Sequence, residues 1–306
     1  MAEFKHYSVM LGEAVESLNI KPDGVYVDAT AGGGGHSYEI ASRLTTGKLY
    51  CVDQDSDAIA AAKKRLEPFM DRVEFIKDNF ENLKFFLSCQ LIDGILLDLG
   101  ISSYQLDTPE RGFSYMHDAP LDMRMNRDAQ FDCRKLINEY SVEELTRVLR
   151  DWGEERFAYK IARNIVETRE VKPIETTGEL VEIVERSIPA AQREHHAEKR
   201  TFQALRIEVN RELDIIEPTI RNAADMMNPG GRIVVITFHS LEDRIVKQTF
   251  ADLSRGCTCP PDFPVCVCGN KPKGRVITRK PILPSKKELE ENSRSKSAKL
   301  RVFEKI

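Results

Sequence analysis

Apolar positions along the chain fall into two alternating patterns. Short unbroken runs at residues 25–27, 49–52, 73–76, 94–97 and 232–236 have the length and composition of buried strands. Between the first four lie stretches of helical period, expected as helices over 36–44, 56–66 and 82–88, and an earlier one carries Met10, Leu11, Ala14, Val15 and Leu18. Strands buried on both faces and alternating with helices predict a mostly parallel sheet in an α/β fold. The fourth and fifth runs are separated by roughly 130 residues, far more than one crossover needs. A continuous helix over 202–227 is expected to make the crossover, which leaves 104–200 as an inserted, mainly helical subdomain. Within it Ser141–Glu144 and Thr176–Glu179 have capping-box spacing ahead of apolar runs. The expected organisation is therefore 1–103 and 201–306 as two parts of one α/β domain, interrupted by the insert. After the fifth run come a helix over 241–253, a cysteine loop, and an antiparallel edge pair over 275–280 and 298–303.

Composition narrows the class. The 306 residues hold no apolar run of membrane-spanning length, and the first ten lack a secretory apolar core. Seven cysteines, an odd number, favour a reducing cytoplasm. The net charge of −4 is unevenly spread: residues 269–306 hold twelve Lys and Arg against four Glu, so the rest carries −12. A basic segment on an acidic body suits a polyanionic partner, although a solvated charged tail has the same composition. Arg193, His195, His196, Lys199 and Arg200 cluster at the end of the insert.

The candidate chemistry gathers at strand ends. Asp28-Ala29-Thr30-Ala31 and then four glycines, Gly32 to Gly35, follow the first strand and open a helix. A strand, a glycine turn and a helix N-terminus form a cradle for a nucleotide-like ligand. Asp53 closes the second strand and suits ribose hydroxyls. Asp78-Asn79-Phe80 follows the third, with Phe80 placed to flank an adenine ring or simply to fill core. These features alone fit either a nicotinamide dinucleotide or S-adenosylmethionine. Asp98-Leu99-Gly100-Ile101-Ser102-Ser103 follows the fourth strand, an arrangement that looks like a class I methyltransferase.

A larger set of ordered motifs is more specific. It comprises His6-Tyr7-Ser8-Val9-Met10-Leu11, the glycine turn through Ser37, residues 98–103, Arg111-Gly112-Phe113-Ser114, Pro120-Leu121-Asp122-Met123-Arg124-Met125, Thr201 to Ile207, Thr237-Phe238-His239-Ser240-Leu241-Glu242-Asp243-Arg244, and Arg294 to Arg301. Together they resemble the bacterial small-subunit ribosomal RNA cytosine-N4 methyltransferase family over nearly the whole chain. That resemblance implies S-adenosylmethionine as donor, a decoding-region cytidine as acceptor, and an insert that helps recognise RNA. By position it implies Gly34, Gly35 and His36 against the cofactor, Asp53 on its ribose, Phe80 beside its adenine, and Asp98 and Gln105 near its methionine portion.

Cytosine N4 is a weak nucleophile, since its lone pair is delocalised into the ring. An enzyme must position it and accept its proton. Asp98, Ser102 and Ser103 are the candidate acceptors; a tight turn rich in capping residues has the same composition. The Pro-Pro-aromatic motif of many amino-directed methyltransferases is missing after Asp98, so its roles do not transfer directly. His239 has two readings, a pocket residue or a helix-start residue. Asp122, Arg124 and Arg127 offer either phosphate contacts or an internal ion pair. Cys257, Cys259, Cys266 and Cys268 form two C-x-C pairs that suit a structural zinc; free thiols or a disulfide are the alternatives. Rival functions are a methyltransferase acting on DNA or another RNA, a non-catalytic assembly factor on the small subunit, and, more remotely, a dehydrogenase.

Overall fold

The computed structural model describes residues 8–88, 90–192, 198–257, 259, 263, 265 and 267–306. Each expected apolar run forms a strand: β1 (Val25–Asp28), β2 (Lys48–Asp53), β3 (Val73–Lys77), β4 (Ile92–Asp98) and β5 (Met227–Thr237). These five are mutually parallel. Their continuous apolarity has a direct cause. Val27, Leu49, Val52, Ile95–Leu97 and Ile233–Ile236 are all fully buried, as strands covered on both faces must be.

Two further strands complete a seven-stranded sheet of order β3-β2-β1-β4-β5-β7-β6, where β6 is Gly274–Val276 and β7 is Lys299–Lys305. Both antiparallel partners overlap the expected pair and form the last two strands at one edge of the sheet. β7 pairs with β5 on one side and β6 on the other, so it lies inside the sheet, and the edge is the three-residue β6. The apolar alternation of Leu300, Val302 and Phe303 could not by itself tell an inner strand from an outer one. Some of this segment's positive charge takes part in pairing across the sheet unit. Arg301, 5% exposed, forms a paired contact with Asp243 at 2.6 and 3.1 Å, and Arg232 and Arg275 flank Glu304 at 3.0 and 2.6 Å.

By compactness the chain divides into two units, residues 1–100 with 213–306, and residues 101–212. The first is the sheet unit. Its core joins Leu18, Tyr26, Ile40, Leu49 and Leu66 to Val234, Leu300 and Val302 from the far end of the sequence. The second, the insert, packs helices Cys133–Glu139, Val142–Asp151, Ala158–Arg169, Thr177–Ser187 and Glu198–Asn210 around Leu136, Leu145, Ile161, Leu180 and Leu205. Both expected capping boxes form, at Ser141 with Glu144 and at Thr176 with Glu179.

The single helix expected over 202–227 is two helices. Glu198–Asn210 belongs to the insert, and Ile216–Asp225 leads into β5. Arg211 adopts a left-handed backbone with φ 54°, which interrupts helical hydrogen bonding. A side-chain contact of 2.9 Å between Arg206 and Glu212 braces the turn. Periodicity passes over such a break because the apolar spacing continues across it.

After β3 the chain returns to the other side of β1 to form β4, so its direction of winding reverses between these two strands. In open α/β sheets that switch point opens a crevice beyond the strands' carboxyl ends. Asp28 ends β1 and Asp98 ends β4, which sets both beside it.

Candidate active site

The acid that ends β1 faces inward. Asp28 is fully buried; Ser37 Oγ donates to its Oδ2 at 2.5 Å and the Thr30 amide to its Oδ1 at 3.3 Å. Burial raises its carboxyl to about 6. Asp28 thus ties the end of the strand to the Gly35–Arg43 helix across the glycine turn.

The four glycines answer to different demands. Gly34 has φ 76°, and a Cβ there would stand 3.1 Å from the Ala62 backbone. A Cβ on Gly35 would collide with the Ser8 side chain. Gly33, in contrast, faces open space, with no heavy atom within 4 Å of an added Cβ. This is the position where a ligand can approach the backbone. No side chain caps the helix N-terminus that follows Gly34, a suitable end for an electron-rich ligand.

Asp53 stands opposite. Its Oδ2 accepts the Gly32 amide and its Oδ1 the Asp55 amide, both at 2.9 Å. Each carboxylate oxygen retains a further acceptor site. Burial, the larger effect, raises its carboxyl to about 6 against these hydrogen bonds. Beside it the end of β3 is fixed by Asp78, which accepts from the Asn79 amide at 2.7 Å and from Asn82 Nδ2 at 2.8 Å. Asn79 Nδ2 donates to Gln54 at 3.3 Å. Phe80, next in the chain, is half-buried rather than sealed in the core.

Asp98 and His36 meet at the crevice. His36 is buried; its Nε2 lies 3.1 Å from the Val9 carbonyl and its Nδ1 3.7 Å from Asp98 Oδ2. Burial lowers its pKa to about 4, so the ring is neutral at pH 7. A carbonyl only accepts, so Nε2 carries the proton and Nδ1 presents a lone pair to Asp98. Asp98 is held well above the ordinary carboxylate range, first by burial and then by the charges of Asp28, Glu242 and Glu288. Its Oδ1 is buried without a hydrogen-bond partner among the described residues. A buried acceptor in that condition calls for a further donor.

The backbone of His239 starts a helix, while both its ring nitrogens are buried without a hydrogen-bond partner among the described residues. His239 is the N-cap residue of the Ser240–Ser254 helix. Glu242 Oε2 accepts the amides of Phe238 at 2.7 Å and His239 at 3.2 Å, and His239 Nε2 lies 3.1 Å from Glu242 Oε1. Glu242, 1% exposed, belongs to the acidic surroundings of Asp98 yet was not among the expected site residues. Its signal was the capping-box spacing from His239.

In the insert, Ser102 and Gln105 form a capping box of their own. Ser102 Oγ accepts the Gln105 amide at 3.2 Å, and Gln105 Oε1 accepts the Ser102 amide at 3.1 Å. Ser103, half-buried, is the first residue of the Ser103–Asp107 helix. Arg124 takes the internal-pair reading: it grips Asp122 at 2.7 and 2.8 Å and also donates to the carbonyls of Arg127 and Ala129. Of the cluster expected at Arg193, His195, His196, Lys199 and Arg200, the first three lie outside the described residues, as do His6, Tyr7 and Cys266, while Lys199 is exposed and Arg200 half-buried on the Glu198–Asn210 helix. The sulfurs of Cys257, Cys259 and Cys268 converge to within 4.8 Å of one another.

Residues 3–306 match the MraW methylase family. This chain belongs to that family. A protein of Agathobacter rectalis named "Ribosomal RNA small subunit methyltransferase H 2" is 58% identical over 99% of both chains. Proteins named "Ribosomal RNA small subunit methyltransferase H" are 58% identical in Clostridium botulinum, over 99% of this chain and 100% of that one, and 54% identical in Finegoldia magna, over 99% of both. As a MraW-family methylase with a mostly parallel, seven-stranded Rossmann-like sheet, the protein is a class I, S-adenosylmethionine-dependent methyltransferase. The open space at Gly33, the remaining acceptor capacity of Asp53 and the orphaned Oδ1 of Asp98 fit that cofactor's need for backbone approach, a hydroxyl acceptor and an amine acceptor. No helix among the described residues is long and apolar enough to cross a membrane.

Proposed function

We propose that this methylase modifies the exocyclic N4 of a cytidine in the decoding region of small-subunit ribosomal RNA, acting in the cytoplasm on an assembled small subunit. The observation that carries the RNA assignment is the full-length identity of 54–58% to proteins named as methyltransferases of that RNA. The cytosine-N4 assignment rests on the resemblance of the ordered motifs.

In this reading Gly34, Gly35 and the neutral His36 form the backbone side of the cofactor cradle, with His36 acting through packing and its link to Val9. Asp53 accepts from the ribose hydroxyls and Phe80 covers the adenine. Asp98 and Gln105 serve the methionine portion. Bound S-adenosylmethionine supplies an electrophilic methyl group. The protein's own task is to bring the amine into line, exclude water, and take up a proton as positive charge develops on nitrogen. The target base must leave its stack to be reached.

Asp98 is the leading candidate for the proton acceptor. A raised pKa makes its ionised form a stronger base than an exposed carboxylate. Ser102 and Ser103 remain candidates to accept a hydrogen bond from the amine, with Ser102 already holding one helix amide.

The deciding experiment is transfer of tritiated methyl groups to undermethylated small subunits, protein-free ribosomal RNA and duplex DNA, followed by nucleoside digestion. Label in N4-methylcytidine from subunits alone is the expected result. Label at another atom or only in DNA would overturn the acceptor assignment. Cofactor binding without transfer to any of the three would favour an assembly factor.

A further inference from the structure

The cysteine loop is distant in sequence from every residue in the proposed chemistry. It follows the Ser240–Ser254 helix and is closed at its base by the Lys273 amide, which donates to the Leu253 carbonyl at 2.8 Å. Among its described residues the large apolar side chains are outside any core: Phe263, Val265 and Val267 are 51%, 69% and 73% exposed. Side chains so exposed give almost no hydrophobic stabilisation to offset the entropy of ordering.

Its three described thiols nonetheless point to one place. Cys257 Sγ and Cys268 Sγ are 3.7 Å apart, and Cys259 Sγ lies within 4.8 Å of both. Sulfurs bound tetrahedrally at ~2.3 Å from a zinc ion stand ~3.8 Å apart. A disulfide would need ~2.05 Å.

Each of the three sulfurs also receives a backbone amide. Cys259 N donates to Cys257 Sγ at 3.4 Å, Val267 N to Cys259 Sγ at 3.3 Å, and Asn270 N to Cys268 Sγ at 3.4 Å. Such donors stabilise thiolate over thiol, the form in which cysteine binds metal. The turn at the third sulfur uses Gly269 with φ 63°, which lets the chain fold back so that the Asn270 amide reaches Cys268. Asn270 Nδ2 then donates to the carbonyls of Gly256 at 2.7 Å and Arg255 at 3.3 Å, tying the loop's exit to its entry.

We infer that Cys257, Cys259 and Cys268 bind a structural zinc ion that orders this loop. An all-thiolate donor set selects a soft or borderline cation, and zinc needs no redox partner. Cys266, outside the described residues, is the sequence's candidate for a fourth ligand. The inference is independent of the acceptor specificity proposed above.

The test measures metal in the full-length protein purified under reducing conditions without an affinity metal, using elemental mass spectrometry. About one zinc per chain is expected, with replacement by Co(II) giving the thiolate-to-cobalt charge-transfer band and intense visible bands of a tetrahedral site. Cys257→Ser, Cys259→Ser and Cys268→Ser should each weaken zinc binding by more than the roughly 10–100-fold that loss of an outer partner costs, whereas Asn270→Ala should fall within that range. Cys51→Ala, which changes a buried cysteine in β2, should leave the metal content unchanged. Should a serine variant fail to fold, competition of intact protein against a chromogenic chelator still reads the affinity. Metal-free protein that gives no cobalt spectrum, or a Cys257–Cys268 disulfide in freshly isolated protein, would overturn the inference.

Discussion

Gly33 and Gly34 are adjacent, yet a methyl group added to each should do opposite things. At Gly34 it meets the Ala62 backbone in a left-handed conformation, so Gly34→Ala should lower stability by about 2 kcal/mol or more. At Gly33 it meets nothing in the protein. Gly33→Ala should leave the melting curve nearly unchanged and weaken S-adenosylmethionine binding about tenfold or more, as read by calorimetry. Equal affinity in that variant would remove Gly33 from the cradle. Asp98 allows a second test. Its folded-state pKa is raised, so its contribution to stability is fully present below the unfolded value and is lost as pH rises through the folded one. Asp98→Asn removes that charge from the neighbourhood of Asp28, Glu242 and Glu288. The variant's melting temperature should gain on that of wild type as pH rises, while methyl transfer falls about 100-fold or more. A difference that moves the other way with pH would contradict the electrostatic account. The glycine turn, Asp53 and Asp98 were legible in the sequence because each sits at a fixed offset from a strand. The bond from His36 to Val9 and the approach of Glu242 and Glu288 to Asp98 were not, since they join residues that only the folded sheet brings together.

Among elements, the insert has a hub that no local pattern announces. Glu208 accepts from Trp152 Nε1 at 2.6 Å, from Arg147 at 2.7 Å and from the Tyr140 hydroxyl at 3.2 Å, so two helices or their ends converge on the carboxylate of a third. Trp152 is the chain's single tryptophan, and its fluorescence therefore reports on the insert alone. Glu208→Gln leaves one acceptor oxygen where there were two and removes the charge. Thermal unfolding followed by that fluorescence should show a loss of about 2 kcal/mol. No change would mean that these bonds merely exchange with water. Strand positions and capping boxes were readable because they depend on near neighbours. The break at Arg211 and the inner position of β7 depend on tertiary pairing, to which apolar spacing is blind.

On the scale of the whole molecule, charge is the property that sequence and structure weigh differently. Part of the basic excess after residue 269 goes into ion pairs such as Arg301 with Asp243, but most of its lysines and arginines are exposed. Lys280, Lys286 and Lys296 are exposed. If this surface meets ribosomal RNA, affinity should fall with added salt, and replacing these three lysines by alanine should reduce the logarithmic salt slope by about 2. An unchanged slope would direct attention to other basic residues. The sheet carries one more consequence, for synthesis. β6 precedes β7 in the chain, and its only strand partner is β7, which itself stands between β6 and β5. While the protein is being made, β6 must therefore wait without a partner until β7 has left the exit tunnel, and the flank of β5 that β7 will cover stays open as long. During that interval the nascent chain presents an unpaired strand edge, the kind of surface that chaperones shield.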